Sequence, residues 1–210
     1  MTIFRTEQSA PAWCELEKFE IFSLVTGERV QRAPATRTER LIGTAGTTQF
    51  RQSDRSLLLK EAQFVDIDVS AGPWTMTGTT DPAGFVRLCG HWGADIAGCG
   101  VFRVRPTSEP ETKGDPVTYR KNTAIDRHYH DCDEYWVILD GTGEVVVDDR
   151  HANVVPGDCL CIGMGHHHDF PFTDNEVKAV FFETTLEGRK RTGHLWTHTH
   201  GAAEPIPGRV

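Results

Sequence analysis

The sequence lacks any run of about eighteen apolar residues, so no segment is suited to cross a bilayer as a helix. Residues 1–20 lack the pattern of a secretory leader: charges are spread through them, and no apolar stretch precedes a small-residue cleavage site. No two of the 6 cysteines have Cys-x-x-Cys spacing, which excludes a zinc ribbon and a thioredoxin-like redox site. Reduced thiols in the cytoplasm are therefore the expectation. Positive charge is scarce. Against 30 Asp and Glu stand 22 Lys and Arg, a formal net charge of -8, so neither nucleic acid nor an anionic membrane is the expected partner.

What is present is ordinary globular composition over 210 residues, enough for one large domain or two small ones. Short apolar runs at 135–139, 144–147, 153–155, 159–162 and 178–182 are rich in β-branched and aromatic residues and bounded by Gly, Pro, Asp or Asn. They are too short for helices and predict an all-β sandwich or barrel. Cys159 and Cys161 read as two small buried side chains on one strand face. One short helix is expected near the start: Ser9 can cap it, Pro11 suits its first turn, and Trp13, Leu16 and Phe19 recur at helical spacing. Residues 105–116 read as a linker, and 201–210 as a tail that lies over the surface or frays.

Sliding the chain by 95 residues brings Glu39 onto Glu134, Gly46-Thr47 onto Gly141-Thr142, Asp54-Arg55 onto Asp149-Arg150 and Ile67 onto Ile162. The matches cluster at turn residues, where Gly and Asp have a backbone reason to recur. Two similar β-barrels in tandem are the expectation.

Histidine is distributed unevenly. Of 10 histidines, only His91 precedes residue 128. In His128-Tyr-His130-Asp-Cys-Asp-Glu134 strand alternation puts His128 and His130 on one face, and Glu134 shares it if the strand continues. Two imidazoles and a carboxylate converging inside a barrel are borderline metal ligands. The glycines of Gly163-Met-Gly165-His-His-His168 allow an unusual backbone path that can return a histidine to the same cavity.

These residues resemble the cupin superfamily. His128, His130, Glu134 and Gly141 match its first motif, His-x-His-x3-Glu-x6-Gly. Gly157, Gly165 and His168 fit the second, in which Gly163 replaces a Pro and Phe172 an Asn. The resemblance covers residues 117–185 and implies a jelly-roll β-barrel whose mouth holds a divalent metal (Fe, Mn, Ni or Zn) on His128, His130, Glu134 and His168. The expected organisation is 1–104 as a degenerate metal-free barrel, 105–116 as linker, 117–190 as the metal-binding barrel and 191–210 as tail. At the same offset Ala33, Ala35 and Pro73 stand where His128, His130 and His168 do, so the first barrel cannot hold metal.

Four protein ligands on an ion that accepts five or six leave open positions, which suits catalysis on a small oxygen-rich molecule. Tyr119, Trp136 and Ile138 are the expected pocket residues. With no acid or base beyond the ligands in view, dioxygenase chemistry ranks ahead of isomerase or decarboxylase chemistry. A non-catalytic small-molecule sensor is the alternative, and a homodimer the expected assembly. His166 and His167 are expected to be exposed. The segment His194-Leu-Trp196-Thr-His198-Thr-His200 reads first as exposed; a lid over the barrel mouth presenting Trp196, or a second metal site on His198 and His200, are the alternatives.

Overall fold

The computed structural model describes residues 1–110, 114–186 and 201–210. The His194, Trp196, His198 and His200 segment and residues 111–113 of the expected linker lie outside the described residues. In chain order the strands are β1 (Thr2–Arg5), β2 (Leu16–Leu24), β3 (Arg29–Arg32), β4 (Thr38–Ala45), β5 (Thr47–Gln52), β6 (Arg55–Lys60), β7 (Phe64–Asp66), β8 (Trp74–Gly78) and β9 (Ala83–Gly90). They continue as β10 (Ile96–Val104), β11 (Glu134–Asp140), β12 (Gly143–Val147), β13 (Arg150–Val154), β14 (Asp158–Ile162), β15 (His168–Thr173) and β16 (Val177–Thr185). The all-β expectation holds. No α-helix occurs among the described residues, so the predicted N-terminal helix is replaced by a turn and β2. The misleading spacing has a physical origin. A bulge between Leu16 and Lys18 adds one residue to β2, so Leu16 and Phe19 are both fully buried although three positions apart.

The chain divides into two compact units. One comprises Met1–Arg5, Pro11–Cys14 and Gly93–Val210; the other comprises Thr6–Ala10 and Glu15–Trp92. The division falls at Trp92, not after residue 104. Strand β10, placed by sequence in the first domain, pairs with β16 in the C-terminal unit from Ile96↔Thr185 to Val104↔Val177. The expected linker is therefore a loop inside that unit. Strand β1 also joins it, pairing with β14.

The C-terminal unit has sheets in the orders β1-β14-β11-β16-β10 and β13-β12-β15. Between them lies a core of Trp136, Ile138, Val145, Leu160, Ile162 and Phe170, among others. Cys159 and Cys161 are fully buried free thiols, as expected. The N-terminal unit has sheets β2-β9-β4-β7 and β3-β8-β5-β6 around a core containing Leu41, Phe50, Trp74 and Phe85.

Strand order matches between the units: β10-β16-β11-β14 in one corresponds to β2-β9-β4-β7 in the other. The left-handed residues correspond too. Gly46, Ser53 and Ala62 have positive φ, and so do Gly141, Asp148 and Gly157, each 95 positions later. Residues of such different type share this conformation because the turns recur, not merely the letters.

Candidate metal centre

Strand β11 opens at Glu134, and strand β15 opens at His168. His128 lies outside the named strands but forms an isolated antiparallel bridge with His168, each backbone N–H donating to the other's carbonyl at 3.1 and 2.8 Å. His130 is tied in by its carbonyl, which accepts from Gly165 N at 2.9 Å. Gly165 takes φ +79 and packs against Glu204 and Pro205 so closely that a Cβ there would lie 2.6 Å from their backbone atoms. This agrees with the sequence reading that the glycines allow a backbone path that returns a histidine to the site.

His128, His130, Glu134 and His168 are all buried, and their ligand atoms lie within 4.8 Å of one another. The Nδ1 of His128 faces the Asp126 carbonyl at 2.6 Å, and the Nδ1 of His168 faces the His166 carbonyl at 3.0 Å. A carbonyl only accepts, so Nδ1 carries a proton in both and Nε2 is the ring atom left to ligate a metal. The carboxylate faces two of the imidazoles: Glu134 Oε2 is 2.9 Å from His168 Nε2 and 3.2 Å from His130 Nε2. The His168 Nε2 and Glu134 Oε2 atoms are buried without a well-formed hydrogen bond. Such atoms are costly to bury unless a cation meets them, so the residues fit a divalent metal. Burial by itself raises the Glu134 pKa, but the adjoining His130 and His168 outweigh it and hold the carboxyl well below the usual range. The deprotonated carboxylate is the form that ligates.

Trp136 has a role the sequence reading missed. Its indole N–H donates to Glu134 Oε1 at 2.6 Å, which fixes the carboxylate and leaves Oε2 toward the imidazoles. Residues two apart on a strand share a face, and that parity was the available signal. Trp136 also borders a cavity of about 300 Å³ that opens beside His128 and Glu134. Phe102, Ile125 and Phe181 form its other apolar walls, and Asp126 and Glu183 line it as well.

The other two expected pocket residues lie elsewhere. Ile138 is fully buried in the core and does not border the cavity. Tyr119 sits in an irregular segment, so strand parity does not apply to it. Its hydroxyl donates to Asp169 at 2.9 Å, and Lys121 also binds that carboxylate, at 2.7 Å. Glu183 went unnoticed because it is distant in sequence, yet β16 pairs it directly with Glu134. It reaches 3.7 Å from His130 Nε2. Burial and the neighbouring Glu134 charge push its pKa up to about 7, against the attraction of His130.

Neither of the neighbouring histidines is fully exposed. His166 is buried between Asp148, at 2.8 Å, and the Ile206 carbonyl, at 3.1 Å. His167 is partly buried near Asp115 and the Tyr129 ring, and burial, then Arg127, lowers its pKa. The described tail residues do not fray. Ile206 N donates to the Met164 carbonyl, and Arg209 pairs with buried Asp133 at 3.1 Å.

A family model for the cupin domain matches residues 117–185. The chain is 48% identical over all 210 residues to an uncharacterized protein, y4oW, of Sinorhizobium fredii, covering 97% of that protein. Among solved structures, an IolB-like protein from Salmonella typhimurium aligns with a TM-score of 0.55 at 14% identity, covering 87% of this chain and 88% of that one. A deletion mutant of Bacillus subtilis oxalate decarboxylase OxdC aligns with a TM-score of 0.53 at 10% identity, covering 88% and 77%. Vicilin from hazelnut, Corylus avellana, aligns with a TM-score of 0.54 at 9% identity, covering 82% and 76%. At such identities the structures speak for the fold alone. Fold, motifs and family match agree, and the chain belongs to the cupin superfamily.

Proposed function

We propose that this protein is a metal-dependent enzyme acting on a small organic molecule at the cavity beside His128, His130, Glu134 and His168. The observation that carries the reading is three imidazoles and a carboxylate buried together, their ligand atoms within 4.8 Å of one another, beside a cavity that His128 and Glu134 line. A bound divalent Fe, Mn, Ni or Zn ion would supply Lewis-acid polarisation or, as iron, oxygen chemistry. Trp136 holds the carboxylate in its ligating orientation. Phe102, Trp136 and Phe181 keep water from the reacting molecule, which strengthens every polar interaction made there.

The preference for dioxygenase chemistry rested on a pocket with no carboxylate beyond the ligands. Glu183 and Asp126 remove that ground, so the reaction type is put to experiment. Elemental analysis of the native protein is expected to find a transition metal bound in the cavity; its absence, with failure to restore it, ends the reading. Oxygen uptake by iron-loaded protein over a panel of diols and hydroxy acids separates dioxygenation from lyase or isomerase turnover. Stable binding without any turnover marks a sensor.

The matching strand orders and left-handed turns support reading the chain as a bicupin with a metal-free N-terminal barrel. The 6 free thiols support a reducing compartment such as the cytoplasm. We keep a homodimer in the proposal, to be tested by light scattering.

A further inference from the structure

The walls of the cavity have a composition of their own. Three aromatic rings border it: Phe102 and Trp136 have centroids 5.4 Å apart, and Phe102 and Phe181 have centroids 6.3 Å apart near edge-on. Two acidic residues beyond the ligand Glu134 line it, the buried Glu183 and the partly buried Asp126, whose Oδ1 accepts from Gly114 N at 3.0 Å. Among the described residues no Lys or Arg lines it. The neighbouring basic side chains are engaged elsewhere, Lys121 on Asp169 and Arg103 and Arg105 on Glu176.

Strand β10 is shaped to leave these groups in place. Gly98 and Gly100 lie opposite Glu183 and Phe181 in register. A Cβ at Gly100 would come 2.8 Å from the Phe181 ring, and one at Gly98 would come 3.2 Å from Glu183 Oε2. Both side chains thus lie over a strand that is bare beneath them.

Aromatic faces attract cations through their quadrupoles, and desolvated carboxylates demand a positive or donating partner. Apart from a bound metal, an anionic ligand would meet Glu183 with no Lys or Arg among the lining residues to offset it. We infer that the cavity takes a small organic ammonium ion, its charged nitrogen beside Glu183 and Asp126 and its apolar body between Phe102, Trp136 and Phe181. The inference deepens the metal-enzyme reading by naming the substrate class, and it rests on that reading for the site being catalytic. The ammonium recognition itself uses residues outside the ligand set.

The test uses three probes with one apolar body: benzylamine, benzyl alcohol and phenylacetate. Each is titrated by calorimetry at pH 7.5 into the full chain, both zinc-loaded and metal-stripped. Benzylamine is expected to bind about tenfold more tightly than the alcohol, with phenylacetate weakest, in both forms. Glu183→Gln is expected to bring benzylamine down to the affinity of the alcohol, and Phe181→Leu to weaken benzylamine more than the alcohol. Equal or tighter binding of the alcohol or of phenylacetate overturns the inference. So does the absence of heat from benzylamine, or an amine preference that survives both substitutions. Failure of the metal reading shows separately, as zinc that is not retained while the amine preference stands.

Discussion

Glu134 and Glu39 occupy matching places in the two units and are satisfied in opposite ways. Each lies at the start of a strand that pairs with the equivalent partner, β11 with β16 and β4 with β9. Glu134 faces imidazoles and leaves Oε2 without a well-formed hydrogen bond. Glu39 is only 2% exposed. The guanidinium of Arg87 grips it with both oxygens, Nε to Oε2 at 3.0 Å and Nη2 to Oε1 at 2.9 Å. Backbone N–H groups of Ala35 and Thr36 also donate to it, and Arg87 donates to the Ala33 carbonyl at 2.8 Å.

Register explains the substitution. Trp136 lies opposite Phe181, whereas Leu41, 95 positions before Trp136, lies opposite Arg87. Arg87 therefore stands where the C-terminal unit has a ring at its cavity wall. Val147 pairs with His168, and Gln52, 95 before Val147, pairs with Trp74. The residue in the place of His168 is thus Trp74, one position from the Pro73 that ungapped sliding selected, and Arg87 lies over its ring at 5.4 Å. A buried carboxylate needs a positive counterpart. One unit carries it covalently; the other has a ligand set suited to an ion from solution.

The strongest way to break this contrast is His168→Ala. It is expected to bring metal content from about one ion per chain to background, because it removes a ligand no neighbour replaces. Metal analysis after dialysis checks this, and unchanged content would show that the four residues are not the site. Arg87→Leu should leave metal content alone but destabilise the N-terminal unit by about 3–5 kcal/mol, since it strands Glu39 in the interior. Denaturant unfolding followed through both units is the measurement. Trp136→Phe sharpens the comparison more gently. Freeing Glu134 Oε1 should weaken metal affinity roughly 10–100-fold, read by competition with a chelating dye. The smallest effect is expected from Glu39→Leu with Arg87→Met, which should restore stability to within about 1–2 kcal/mol of the native chain. Restoration there would show that Arg87 serves as a counter-charge rather than as an irreplaceable packing element.

The motif residues were readable in sequence because their chemistry is local. His128, His130 and Glu134 lie within one strand-like stretch, and His168 follows two glycines. Trp136 as an orienting donor was within reach by the same parity. Glu183 and Arg87 were not, since each acts across a strand pair and its role depends on register. Leu16 and Phe19 misled for a related reason: a bulge imitates helical spacing on one strand.

By itself the sequence determined the β class, the residues of the buried His-His-Glu-His cluster and the turns that recur 95 residues apart, because alternation, turn chemistry and side-chain type are written over short spans. The tertiary structure alone decided that β1 and β10 complete the C-terminal unit, that Glu183 and Phe181 line its cavity, and that Arg87 occupies the corresponding place in the N-terminal unit. Those outcomes depend on which strands hydrogen-bond and in what register. A shift of one residue turns every side chain to the opposite face.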